Sequence, residues 1–157
     1  MATRKPPAGI KIIAQNRRAR HEYEILQTLE AGIVLLGSEV KALREGRANL
    51  GDSYAEIKGG EVWLLKMHIG PYEMANRLNH EPFRRRKLLL NRREIRKLQP
   101  KLDDVGLTLV PLKIYFKLGR VKVELALGRG KKLYDKRHDK AKRDVDRQMA
   151  KNIGRRD

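Results

Sequence analysis

The chain has no cysteine, so disulfide scaffolds, cysteine-ligated zinc and thiol catalysis are excluded. Aromatic residues are few, at 5% of 157, too few to anchor a helix in an anionic membrane surface. Long apolar runs are absent: stretches such as "IVLL" within 32–37 fall far short of the ~20 residues that span a bilayer. The opening "MATRKPPAGIKIIAQ" is basic, with no apolar stretch of signal-peptide length after it. These features predict a soluble cytoplasmic protein without a membrane partner. Catalytic signatures are missing too. His21, His68, His80 and His138 lie neither three nor four apart, and no HExxH, G-x-S-x-G, P-loop or G-x-G-x-x-G occurs. "GRGKK" at Gly128 lacks Walker spacing. No catalytic residue, metal ligand or cofactor is expected, and an enzyme, for instance a small nuclease, is the weaker reading. Acid is scarce as well. Against 37 Lys and Arg stand 19 Asp and Glu, leaving +18, a charge that attracts polyanions, nucleic acid foremost.

With 40% hydrophobic residues the chain can bury a core. Residues 1–9 form a basic arm with Pro6, Pro7 and Gly9 and little to bury. "YEILQTL" and "GIVLL" are strand-like, with "EAG" between them as a turn. Ser38 is placed to cap a short helix, Glu39 favours its positive start, Val40 and Leu43 give it an apolar face and Gly46 stops it. "DSYAEIK", Gly59-Gly60 and "EVWLLKMHI" read as a hairpin with a primed turn. "GPYEMANRLNHEPFRRRK" is loop. "KLLLNRREIRKLQPKL" is helical in period, with Leu88, Ile95, Leu98 and Leu102 near one face, until Pro100 ends the regular part. Last come two alternating strands: Leu112, Ile114, Phe116 and Leu118 share one face of the first, Gly119-Arg120 turns, and Val121, Val123, Leu125 and Leu127 share one face of the second. About six strands, two or three short helices and no βαβ rhythm predict a mainly β fold: a small closed or half-closed antiparallel barrel over 10–128, its ends plugged by helices.

The cations are clustered. "NRRARHEY" carries Arg17, Arg18 and Arg20. "FRRRKLLLNRRE" carries Arg84, Arg85, Arg86, Lys87, Arg92 and Arg93, with almost no acid to balance them. Guanidinium forks fit phosphates and stack on bases, so RNA or DNA is the favoured ligand over a merely basic surface. Trp63, Tyr23, Tyr54, Tyr115 and Phe116 lie in strand-like runs and read as core. Tyr134, in "KKLYDKR", is placed to stack on a base. Glu30 and Glu39 either pair with arginines or order the arginines that bind phosphate.

From Gly128 to Asp157 there are twelve Lys and Arg and five acids. Strand alternation stops, yet Ala141, Val145, Met149 and Ile153 recur every four residues, a thin helical stripe. It is too thin to hold a helix alone in water. Residues 129–157 therefore read as a basic tail, disordered in solution, that folds against a partner.

Four collinear motifs, "NRRARHEYEI", "LEAGIVLLGSEVKALREGRANLGDSYAEI", "RKLLLNRREI" and "GRGKKLYDKR", together resemble the SsrA-binding protein (small protein B) family from about Ile10 into the tail. The resemblance implies an oligonucleotide-binding-like β-barrel with helices at its side, no catalytic activity, and a role in trans-translation. The implied partners are the tRNA-like domain of transfer-messenger RNA, elongation factor Tu on the same RNA, and the 16S rRNA of a stalled ribosome; for the oligomeric state a monomer is the default expectation. It implies an RNA contact through Asn16, Glu30, Leu89 and Asn91, with Arg17, Arg18, Arg20, Arg84, Arg85, Arg86 and Lys87 on phosphates around them. It implies a tail in the decoding centre and mRNA path. There Lys131, Lys132, Lys136 and Arg137 hold rRNA phosphates, Tyr134 stacks, and Asp135 and Met149 complete the set. A general RNA-binding barrel is the alternative.

Overall fold

The computed structural model describes residues 9–104, 106–131 and 141–150. Among the described residues nine strands form, all paired antiparallel: β1 (Ile10–Gln15), β2 (Tyr23–Ile33), β3 (Ala48–Asn49), β4 (Tyr54–Lys58), β5 (Glu61–Leu65), β6 (His68–Ile69), β7 (Arg86–Leu89), β8 (Leu107–Lys117) and β9 (Arg120–Gly130). The large sheet runs β1-β8-β4-β5-β7-β2-β9, and β8 also pairs with β9, so six of its strands close into a barrel with β1 laid along the far end of β8. Closure leaves few raw strand edges. Helices α1 (Arg17–Glu22), α2 (Gly37–Arg44) and α3 (Arg92–Leu102) accompany it, with a 3-10 helix at Glu73–Leu78. Residues 141–150 are helical, and every one of them is exposed.

Alternation decides what the barrel encloses. Ala31, Val62, Leu64, Leu88, Leu109, Ile114, Val123, Leu125 and Leu127 point inward and are almost fully buried, each large aliphatic contributing roughly 1.5–3 kcal/mol by leaving water. Ala42 and Leu43 of α2 close the barrel together with Leu50, Met67 and Ile69 around the small β3–β6 sheet, and Leu98 of α3 joins the same core. A second, smaller cluster lies outside the barrel wall. Ala19 of α1 packs on Val110, Leu112 and Ala126 there.

Both hairpins are present. Lys58 pairs with Glu61, so Gly59 and Gly60 form a two-residue turn, at φ 62° and 73°, the left-handed pair that a primed turn requires. The second turn is Leu118-Gly119 rather than Gly119-Arg120, because Lys117 pairs with Arg120. The apolar face expected of β8 is split: a bulge between Pro111 and Lys113 shifts the alternation, sending Leu112 to the outer cluster and Ile114 to the core.

Other expectations are corrected. "EAG" is no turn. Glu30, Ala31 and Gly32 run straight through β2, opposite Glu124, Val123 and Lys122. Gly32 is there because a side chain would crowd Leu89, whose Cβ would stand 3.2 Å from an added Cβ. Lys87, Leu88 and Leu89 are strand, not helix, since β7 fills the gap between β5 and β2. Pro100 does not end α3, which runs to Leu102; a proline near a helix end sacrifices only one backbone bond there. Ser38 does not cap α2. The cap is Leu36, whose N–H donates to Glu39 at 2.9 Å, while the Ser38 hydroxyl meets His80 Nδ1 at 2.9 Å.

Candidate nucleic-acid interface

The expected RNA-contacting residues divide into those the fold consumes and those it presents. Asn16 belongs to the first group. It is 6% exposed. Its Oδ1 accepts the Ala19 N–H at 3.2 Å, capping α1, and its amide donates to Pro111 O at 3.1 Å and Leu50 O at 3.3 Å. In the free chain Asn16 uses its side chain to fix α1 to the barrel. What it positions is exposed. Arg17, Arg18 and Arg20 all face outward from α1, and Arg18 lies 3.5 Å from Glu22 and 3.3 Å from Asp52.

Arg86 is also engaged within the fold. It is fully buried; its Nε donates to Glu39, its Nη1 to Met67 O at 2.8 Å and its Nη2 to Pro82 O at 3.1 Å. Glu39, equally buried, also takes a hydrogen bond from Arg84. Burial alone would raise the Glu39 carboxyl, but Arg84, the Leu36 N–H and Arg86 together hold it below its ordinary value. Burial lowers Arg86, and Glu39 opposes that. The run "FRRRK" is thus two things at once. Arg86, with Arg84 half-buried behind it, is an internal strut. Arg85 and Lys87 point out.

On the outer face the remaining residues converge. Ala31, Leu88 and Val123 point into the barrel, so Glu30, Gly32 and Leu89 lie outside. β2–β7 pairing sets Gly32 opposite Leu89, with Glu30 two residues along the same face. Leu89 is 51% exposed, an apolar side chain offered to solvent. Asn91 follows it, exposed at the start of α3, its side chain making no capping bond. Arg85 sits 4.6 Å from the centroid of the Trp63 ring, and Lys87 pairs with Glu61 at 3.0 Å.

Glu30 is held rigidly. Tyr115 donates its hydroxyl to it, and Lys117 approaches at 3.3 Å. The Tyr115 hydrogen bond is the main cause of a lowered Glu30 carboxyl, with Lys117 and Lys122 adding to it. Burial and then Glu30 push the Tyr115 phenol well up. A hydrogen-bonded carboxylate, an exposed leucine and an exposed amide thus offer an acceptor, an apolar contact and a donor–acceptor.

Sequence reasoning missed Trp63, Tyr115, Lys117 and Lys122 at this face. Trp63 and Tyr115 were expected in the core; Trp63 is half-buried under Arg85, and Tyr115, though buried, turns its hydroxyl to the outer wall. Their alternation with the inward Val62 and Leu64, and with Ile114, was the available signal. Of the tail set, Lys132, Tyr134, Asp135, Lys136 and Arg137 lie outside the described residues, as does Ile153. Lys131 is described; its N–H donates to Glu22 O at 2.9 Å and its Nζ to Arg20 O at 3.3 Å, anchoring the start of the tail on α1. Arg143 returns to the same helix, donating to His21 at 2.6 Å. Val145 and Met149 are 50% and 59% exposed, so the helical spacing read from the stripe is present over 141–150 without a surface covering it.

No group of three or more potential metal ligands occurs among the described residues, and no described helix is long and apolar enough to cross a membrane. Barrel, helices and cationic outer wall define a small oligonucleotide-binding-like β-barrel carrying a basic C-terminal extension. The family model described as "SmpB protein" matches residues 13–155. The SsrA-binding protein of Desulforudis audaxviator is 60% identical over 141 residues, covering 90% of this chain and 92% of that one. The SsrA-binding protein of Mycobacterium leprae is 55% identical over 153 residues, 98% and 96% of the two chains. A solved structure presented as "tmRNA-SmpB: a journey to the center of the bacterial ribosome" contains a chain with 51% identity and a TM-score of 0.66, over 80% of this chain and 87% of that one. The chain belongs to the SmpB, or SsrA-binding protein, family.

Proposed function

We propose that this protein binds transfer-messenger RNA and acts with it on stalled ribosomes, in trans-translation. The observation that carries the reading is the outer wall on which Glu30, Leu89 and Asn91 meet between cations. Family membership and the relative seen with tmRNA at the bacterial ribosome supply its partners. The work is binding, not catalysis. The barrel grips the tRNA-like domain, with Glu30 and Asn91 on base edges, Leu89 against an unstacked base, and Arg17, Arg18, Arg20, Arg85 and Lys87 on phosphates. The RNA also carries elongation factor Tu, and one protein chain suffices.

The tail is the second unit, beginning where Lys131 leaves α1. A tRNA-like domain without an anticodon arm has nothing to place on a codon. The tail fills the empty decoding centre and mRNA path instead, with Lys131, Lys132, Lys136 and Arg137 on 16S rRNA phosphates, Tyr134 stacked on a base, and the stripe that includes Met149 folded as a helix against the channel. The described helical stretch 141–150 has every residue exposed, and a helix with no packed face is marginal in water, so an empty channel supplies the surface that stabilises it.

Truncation after Gly130 tests the division. The shortened chain is expected to bind the isolated tRNA-like domain as the full chain does, yet to fail in rescuing stalled ribosomes. Loss of tRNA-like-domain binding on truncation overturns it.

A further inference from the structure

Away from the Glu30–Leu89–Asn91 wall lies a cavity of about 560 Å³, lined by Arg18, Asn49, Asp52, Lys66, His68 and Phe83. Its chemistry is not that of a core defect. Asn49 and His68 are cross-strand partners in the β3–β6 sheet, so backbone pairing sets these two lining residues side by side. Phe83 stands edge-on to His68, ring centroids 4.9 Å apart, and is 59% exposed. An aromatic that gains so little from burial is available to something else.

Lys66 is the sharper clue. It holds φ 61°, a left-handed conformation that costs a residue with a Cβ roughly 1–2 kcal/mol and favours glycine. A glycine would serve the backbone better, yet a lysine stands there. Its ammonium lies 5.7 Å from the Tyr54 ring centroid, which steers a flexible cation to the rim. From the opposite rim Arg18 reaches Asp52 at 3.3 Å, both side chains more than half exposed. Strain in a cation, an exposed aromatic and a solvent-facing ion pair around one concavity match a ligand with a flat ring and negative charge.

We propose that this cavity is a nucleotide site. It takes one unstacked nucleotide of an RNA strand. The base lies against Phe83 and His68, its edge donors on the Asp52 carboxylate that Arg18 holds in place, and a phosphate flanking it rests on Lys66. The proposal rests on the RNA-binding reading above and adds a second point of contact, on a different part of the barrel. The nucleotide belongs either to transfer-messenger RNA or to rRNA, and the two sources are separable by experiment.

The test uses the full chain with Phe83→Ala, Phe83→Trp and Lys66→Gly, titrated against the isolated tRNA-like domain and against purified bacterial ribosomes, with thermal unfolding recorded for each. Phe83→Ala is expected to weaken one of the two by about ten-fold, the usual worth of one base stacked on an aromatic side chain, and Phe83→Trp to restore it. Lys66→Gly relieves the backbone, so it is expected to leave the midpoint unchanged or raised while binding falls; a merely structural lysine would not separate the two readouts. The RNA whose binding falls is the source of the nucleotide. If Phe83→Ala and Lys66→Gly bind both RNAs as the parent does, the site is overturned, while a retained preference of the parent for the tRNA-like domain over alanine tRNA leaves the functional reading standing. A parent chain that binds neither overturns both.

Discussion

Glu39→Gln keeps the shape of the side chain and removes one charge. In the folded chain that charge is fully buried and faces two guanidiniums, Arg86 with no exposure at all and Arg84 with 30%. Removing one partner of a buried ion pair typically costs about 3–5 kcal/mol, because the other charge stays buried without its counter-ion. Two features place this site at the low end. Arg86 retains its bonds to Met67 O and Pro82 O, and glutamine can still accept from one donor. The expected loss is therefore about 3 kcal/mol, a large part of the roughly 5–15 kcal/mol that holds a domain folded. Urea unfolding followed by circular dichroism measures it, with the slope checked for constancy. Arg86→Met on the Glu39→Gln background should recover part of the loss, since an apolar pair avoids the desolvation that an unpaired guanidinium suffers. A Glu39→Gln chain within 1 kcal/mol of the parent, or a double variant whose loss is the sum of the singles, refutes the claim that this triad is a structural strut.

Acid should reveal the same triad. Glu39 titrates below its ordinary value of 4.5 when folded, so its contribution is complete above the unfolded value and is lost as pH falls through the folded one; a stability–pH curve should drop below about pH 4.5 in the parent and less in Glu39→Gln. Asn16→Ala removes a helix cap and two buried hydrogen bonds at once, and is expected to cost about 2–3 kcal/mol and to weaken RNA binding only through α1; a stable Asn16→Ala chain that has lost RNA affinity would return Asn16 to the interface. Arg85→Ala, by contrast, should leave the unfolding midpoint nearly unchanged while lowering the slope of log affinity against log salt by about 1, which a titration at several salt concentrations reads directly.

Legibility in the sequence followed local chemistry. The Gly59-Gly60 hairpin and the β8–β9 pair could be read because alternation and turn glycines are local signals. Leu118 hid the second turn, since a leucine at φ 50° and 82% exposure advertises neither. β7 was invisible as a strand because four residues leading straight into a helix merge with the helix's own period. α1 is a six-residue helix, less than two turns, too short to show a period of its own. The site was legible as composition more than as placement. Arginines in a row look alike in sequence, yet Arg86 faces the interior and Arg85 the solvent, a distinction made by strand parity and by a glutamate 47 positions earlier in the chain. Glu30, Leu89 and Asn91 are 59 and more residues apart from first to second, and only the β2–β7 pairing brings them to one wall. Tyr115, which fixes Glu30, is a non-local partner of the same kind.

The central claim is recognition of one RNA, beyond attraction of the +18 chain to RNA in general. The direct measurement is binding of the full protein to the tRNA-like domain of transfer-messenger RNA, with ordinary alanine tRNA as competitor, at near-physiological salt, where charge-driven affinity is weakened. A strong preference for the tRNA-like domain that disappears on substituting Glu30 or Asn91 is the predicted result. Equal binding of the two RNAs would mean that charge alone drives the association, and would contradict the account.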